Sequence, residues 1–191
     1  ILLKSFWYMA ILAAPIVFGI WAIAPELVTF IYSTEFVLSI LPLQILIFVL
    51  IFIFLDFPMG SLLNATDRQA LKTTIGAFNM VINVVVNLIL IPKMGIAGAS
   101  IAALVSFMAM LIMDWYVTRS VISVTLKEVM KEVLPMIIAG AIMALCVVVV
   151  KQYIHFILTI PIGAIVYLGC LWLFGSINQS NLLAAKRMMK R

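Results

Sequence analysis

Apolar residues run along this chain in stretches of about 18 or more, each long enough to cross the hydrocarbon core of a bilayer. Polar and charged residues gather between the runs. Six spans follow from that pattern: Phe6–Ile31, Phe36–Leu55, Thr73–Ile91, Ile96–Trp115, Val133–Val150 and Phe156–Ile177. The connections are short apart from Asp56–Lys72 and Tyr116–Glu132, so consecutive helices should pack as antiparallel hairpins. The predicted fold class is all-α, a polytopic transmembrane helix bundle of about six helices with both termini cytoplasmic.

Composition gives the same solvent: 66% of residues are hydrophobic and 10% charged, with a mean hydropathy of +1.31, far from a water-soluble domain. Charge then orients the bundle. Lys4, Arg68, Lys72, Arg119, Lys127, Lys131, Lys186, Arg187, Lys190 and Arg191 fall on one side of the six-span topology, and only Lys93 and Lys151 on the other. Cationic segments resist translocation, so the first side is expected in the cytoplasm, and Glu26, Glu35, Lys93, Lys151 and His155 outside. The sequons Asn64-Ala65-Thr66 and Asn178-Gln179-Ser180 then lie on the wrong side for glycosylation and read as chance matches. Cys146 and Cys170 sit inside apolar runs and read as small hydrophobes. The chain opens on Ile1 with neither an initiator Met nor a signal-peptide pattern, and reads as a fragment.

Thr125 and Glu128 have capping-box spacing, which predicts a helix start running through "LKEVMKEV" into the fifth span. At the end of the chain, Lys186, Arg187, Lys190 and Arg191 lie opposite Leu182, Ala185, Met188 and Met189. That pattern fits either a helix lying on an anionic leaflet or an ordinary positive-inside anchor. Basic residues that flank spans, with no separate basic domain, argue against a nucleic-acid partner. Membrane lipid is the expected surrounding partner.

Within the spans, Asn79, Asn83 and Asn87 recur every four residues and form one polar line on an apolar helix. Two readings stand: amides that hydrogen-bond a neighbouring helix, or amides that face a water-filled cavity and bind sugar hydroxyls or phosphate oxygens. Gln44 in the second span is a further candidate for the cavity. In the fourth span, Gly95, Ala99 and Ala103 form one small-residue ridge and Gly98, Ala102 and Ser106 another, either of which lets a neighbouring backbone approach. Pro92 is expected to end the third span and Gly95 to permit the turn.

Asp56 follows a long apolar run and is singled out as the acid of a membrane span; Pro58 and Gly60 suggest a bend beside it, with Arg68 or Lys72 as its partner. The acidic residues show no cluster along the sequence, and no phosphate-binding loop is present. An enzyme, a catalytic residue, a metal site and a cofactor are therefore not expected. Transport by moving helices remains, beside a purely structural membrane subunit.

The segments "LAAPIVFGIWAIAPELVTFIYSTEF", "LLNATDRQALKT" and "NVVVNLILIPKMGIAGASIAALVS" resemble, in order and spacing, the C-terminal half of polysaccharide-export flippases of the multidrug/oligosaccharidyl-lipid/polysaccharide superfamily. The likeness extends from about Ser5 to Ile177. It implies that residues 1–117 are the last four helices of the C-terminal transporter lobe, 118–132 a cytoplasmic connector, 133–177 an added transmembrane hairpin and 178–191 a basic cytoplasmic tail. It further implies a multi-pass protein of the cytoplasmic membrane that moves lipid-linked oligosaccharide by alternating access, with an N-terminal lobe of the same polypeptide as partner. Cationic groups for the lipid pyrophosphate would come from that lobe or from the border residues Arg68 and Lys72. An ion-coupled drug or metabolite antiporter of the same superfamily is the alternative, and would rely on Asp56.

Overall fold

The computed structural model describes residues 2–175, and the predicted basic tail, with the end of the sixth span, lies outside them. The described residues are helical without a strand: α1 (Leu2–Tyr32), a 3-10 turn (Thr34–Ser39), α2 (Ile40–Leu46), α3 (Val49–Ala65), α4 (Gln69–Met94), α5 (Ile96–Arg119), α6 (Leu126–Val150) and α7 (Phe156–Leu173). Among the described residues six segments are long and apolar enough to cross a membrane, the 3-10 turn, α2 and α3 together making the second. The protein is a multi-pass membrane protein.

Two of the sequence-derived boundaries are corrected. The stretch from Asp56 to Lys72, read as a loop, is mostly helix: α3 runs through Pro58 and Gly60 to Ala65, and α4 begins at Gln69. Pro92 does not end its helix either, because α4 continues to Met94 and Gly95, at φ +58°, makes the turn. Its N–H still bonds the Ile91 carbonyl at 2.8 Å. The capping box forms as read, with the Glu128 carboxylate accepting from the Thr125 N–H at 2.9 Å.

Packing runs from α7 through α6, α1, α3 and α5 to α4. The densest core lies where α1 and α6 run side by side in the same direction, as the first and fifth spans of an up-and-down bundle should. Small residues set that distance: a Cβ on Gly140 would come within 2.6 Å of the Phe18 ring and 3.3 Å of the Ala14 carbonyl oxygen. At one end of this pair the Lys151 ammonium lies 2.9 Å from the Glu26 carboxylate and donates to the Ala22 carbonyl at 2.7 Å.

Prolines inside α1 explain two further cross-helix bonds. Pro15 and Pro25 lack the N–H that would bond the carbonyls of Ile11 and Trp21, four residues earlier. In lipid such orphan carbonyls need another donor. The Tyr167 hydroxyl of α7 donates to Ile11 at 3.1 Å, and the Gln44 amide of α2 donates to Trp21 at 3.3 Å. Gln44, expected as a cavity residue, here completes a proline-broken helix. Tyr167→Phe and Gln44→Leu should each lower stability by about 0.6–2 kcal/mol, read as a shift of the unfolding midpoint in mixed micelles.

Candidate functional site

The α4–α5 hairpin carries most of the polar groups that lie deep in membrane-capable helices. Its two strands of contacts run antiparallel from the Gly95 turn. Gly98 packs so closely on α4 that a Cβ there would collide with the Leu90 carbonyl oxygen. Farther along, the Asn83 amide donates to the Ser106 hydroxyl at 3.1 Å, while Ser106 donates its own proton to the Ala102 carbonyl at 2.6 Å. Nearer the other end Lys72 meets Asp114, and Arg68 donates to Ser120 at 2.8 Å.

Of the two small ridges, the one that is buried is Gly98, Ala102 and Ser106; Ala99 and Ala103 are half-buried. Gly95 belongs to neither, being an exposed turn residue with open space where a Cβ would stand. Its part is conformational.

The asparagine line turns toward α5, on the face that carries the buried Ile75, and not toward the exposed apolar face of Met80, Val81, Val84, Val85 and Leu88. The three amides do different things. Asn83 bridges to α5. Asn87 donates to the Asn83 carbonyl and side-chain oxygen at 2.8 and 2.9 Å, both on its own helix. Asn79 has a buried side-chain oxygen with no partner among the described residues.

Three helices meet at a charged cluster. The Lys72 ammonium lies 2.7 Å from a carboxylate oxygen of Asp56 on α3 and 2.7 Å from one of Asp114 on α5. Asp56 is 8% exposed and Asp114 0%. Gly60 makes room for the lysine stem, since a Cβ there would stand 3.2 Å from Lys72 Cε. Lys72, expected as a border cation for phosphate or as the partner of Asp56, reaches inward to Asp56 and to Asp114 as well. Arg68 reaches Ser120 instead of Asp56.

Asp114 is the residue that sequence reasoning missed. It stands at the end of an apolar run, where a window average treats one acid as a boundary. The signal was present in the helical period: the four-residue spacing of Gly98, Ala102 and Ser106 continues through the half-buried Met110 to Asp114 and Thr118, both buried. The acids Asp56 and Asp114, separated in sequence, form the carboxylate pair that the linear reading did not contain. Among the described residues no group of three or more His, Cys, Asp or Glu side chains could hold a metal ion. No protein-family model, curated protein or solved structure matches the chain.

Proposed function

We propose that the chain is the C-terminal part of a membrane flippase that moves lipid-linked oligosaccharide across the cytoplasmic membrane by alternating access. The sequence resemblance to polysaccharide-export flippases supports this reading. A second lobe would complete the cavity and supply cations for the pyrophosphate, now that Lys72 is engaged by carboxylates.

The observation that carries the proposal is the unequal use of the amides. Helix packing accounts for Asn83, whose bond to Ser106 holds α4 on α5. It does not account for Asn87, which bonds only its own helix, or for Asn79, whose oxygen is unpartnered among the described residues. Polar groups kept at membrane depth without a bond to another helix are suited to a polar substrate.

The test separates the two roles. Asn79→Leu and Asn87→Leu, placed in the full-length protein, should reduce delivery of surface glycan while leaving the amount of protein in the membrane unchanged. Asn83→Leu should lower the amount of protein, through loss of about 0.6–2 kcal/mol of helix association. Normal glycan delivery by the Asn79 and Asn87 variants would contradict the cavity role.

The ion-coupled antiporter is favoured by a different observation, the buried Asp56–Lys72–Asp114 cluster. Under that reading Asp56→Asn abolishes ion-dependent uptake; a passive flippase keeps most of its activity.

A further inference from the structure

The charge in the three-helix cluster does not balance. Two carboxylates and one ammonium leave one net negative charge among side chains of which Asp114 is fully buried and Asp56 nearly so. Among the described residues, Lys72 alone forms an ion pair with either carboxylate, and the basic residues at the start of α6, Lys127 and Lys131, are exposed. On α4 and its entry turn, the remaining charged groups are Arg68, which reaches Ser120, the exposed Asp67, and Lys93 at the far end. On α5 the other charge is the exposed Arg119. Of the elements packed on α3 and α5, α1 carries Lys4 at its exposed start and Glu26, which pairs with Lys151, while the 3-10 turn before α2 carries the exposed Glu35.

Each of the two acids also has one oxygen without a partner among the described residues, Asp56 Oδ1 and Asp114 Oδ1, and both atoms are buried. Both carboxyl groups contact the same ammonium nitrogen at 2.7 Å, so they stand side by side around it. Two acceptors cannot bond without a proton between them. Thr118, one turn beyond Asp114 on the same buried face, adds a third unpartnered oxygen. A metal ion at this point would stand against the Lys72 ammonium, which already bridges the other two carboxylate oxygens, and like charges at that range repel. A proton meets no such conflict, because it converts one carboxylate into a donor for the other and leaves the cluster neutral.

We infer that Asp56 and Asp114 share one exchangeable proton beside Lys72, forming a proton-binding site that ties α3, α4 and α5 together. With the proton in place the cluster is neutral and the three helices close on it. Its departure leaves a bare negative charge that only entering water can stabilise, so occupancy and closure of this end of the bundle are linked. The inference concerns proton binding alone and holds whatever the protein carries across the membrane.

Infrared spectroscopy of the full-length protein in lipid, with isotope-labelled aspartate confined by segmental labelling to this 191-residue stretch, tests it without a transport assay. The sequence holds only Asp56, Asp67 and Asp114 as aspartates, and Asp67 is exposed, so a labelled carboxylic-acid C=O band at neutral pH reports the pair. The band is expected in the unaltered protein and should vanish in both Asp56→Asn and Asp114→Asn, since either change leaves one carboxylate balanced by Lys72. Absence of the band from the unaltered protein, which needs no variant to fold, would overturn the inference. So would a band that survives either substitution.

Discussion

Lys72→Met is expected to be the most damaging single change in the described bundle. It leaves Asp56 and Asp114 facing each other without the ammonium that lies 2.7 Å from each. Removing one partner of a buried ionic group costs about 3–5 kcal/mol, because a charge stays behind in a medium that solvates it poorly. The Lys72 side chain is 24% exposed, so some water reaches the cluster and the cost falls toward the lower end of that range. The loss should appear as a lower unfolding midpoint in mixed micelles and as less protein in the membrane. Combining Lys72→Met with Asp56→Asn and Asp114→Asn removes every charge and should restore most of the lost stability, since neutral groups of similar volume replace buried ions at little cost. A triple variant as unstable as Lys72→Met alone would locate the damage in lost packing along Gly60 and not in stranded charge.

Gly98→Ala ranks second. Alanine ordinarily favours a helix over glycine by about 0.5–1 kcal/mol, yet here its methyl group would meet the Leu90 backbone, which cannot swing aside as a side chain can. The expected result is a net loss of about 1–3 kcal/mol from overpacking, seen as separation of α4 from α5. Gly169→Ala is the control: nothing lies within 4 Å of its Cβ position, so that change should be neutral or stabilising. Equal outcomes at the two positions would contradict the close approach at Gly98.

The span pattern was legible because bilayer thickness imposes a length on each apolar run, and that requirement is written residue by residue along the chain. The capping box at Thr125 was legible for a similar reason, being a contact between near neighbours. What could not be read depends on partners distant in sequence. Asp56, Pro58 and Gly60 look like punctuation in isolation. In the structure Lys72 pairs with Asp56, and Gly60 is the gap through which that lysine passes, so α3 continues across all three. Pro15 and Pro25 are similar: each breaks a hydrogen bond, and the repair comes from Tyr167 and Gln44 on other helices. The asparagine line marked one face of α4 from its spacing alone, but which amide would reach across to α5 depended on where Ser106 stands.

The direction of that line is the claim on which the site depends, and disulfide formation in membranes tests it. With Cys146 and Cys170 replaced by Ala, Asn83→Cys and Ser106→Cys should cross-link on mild oxidation, because the native side chains already meet at 3.1 Å. Val84, on the exposed face, should not cross-link to position 106. Efficient bridging from Val84 and none from Asn83 would show the asparagines turned toward lipid.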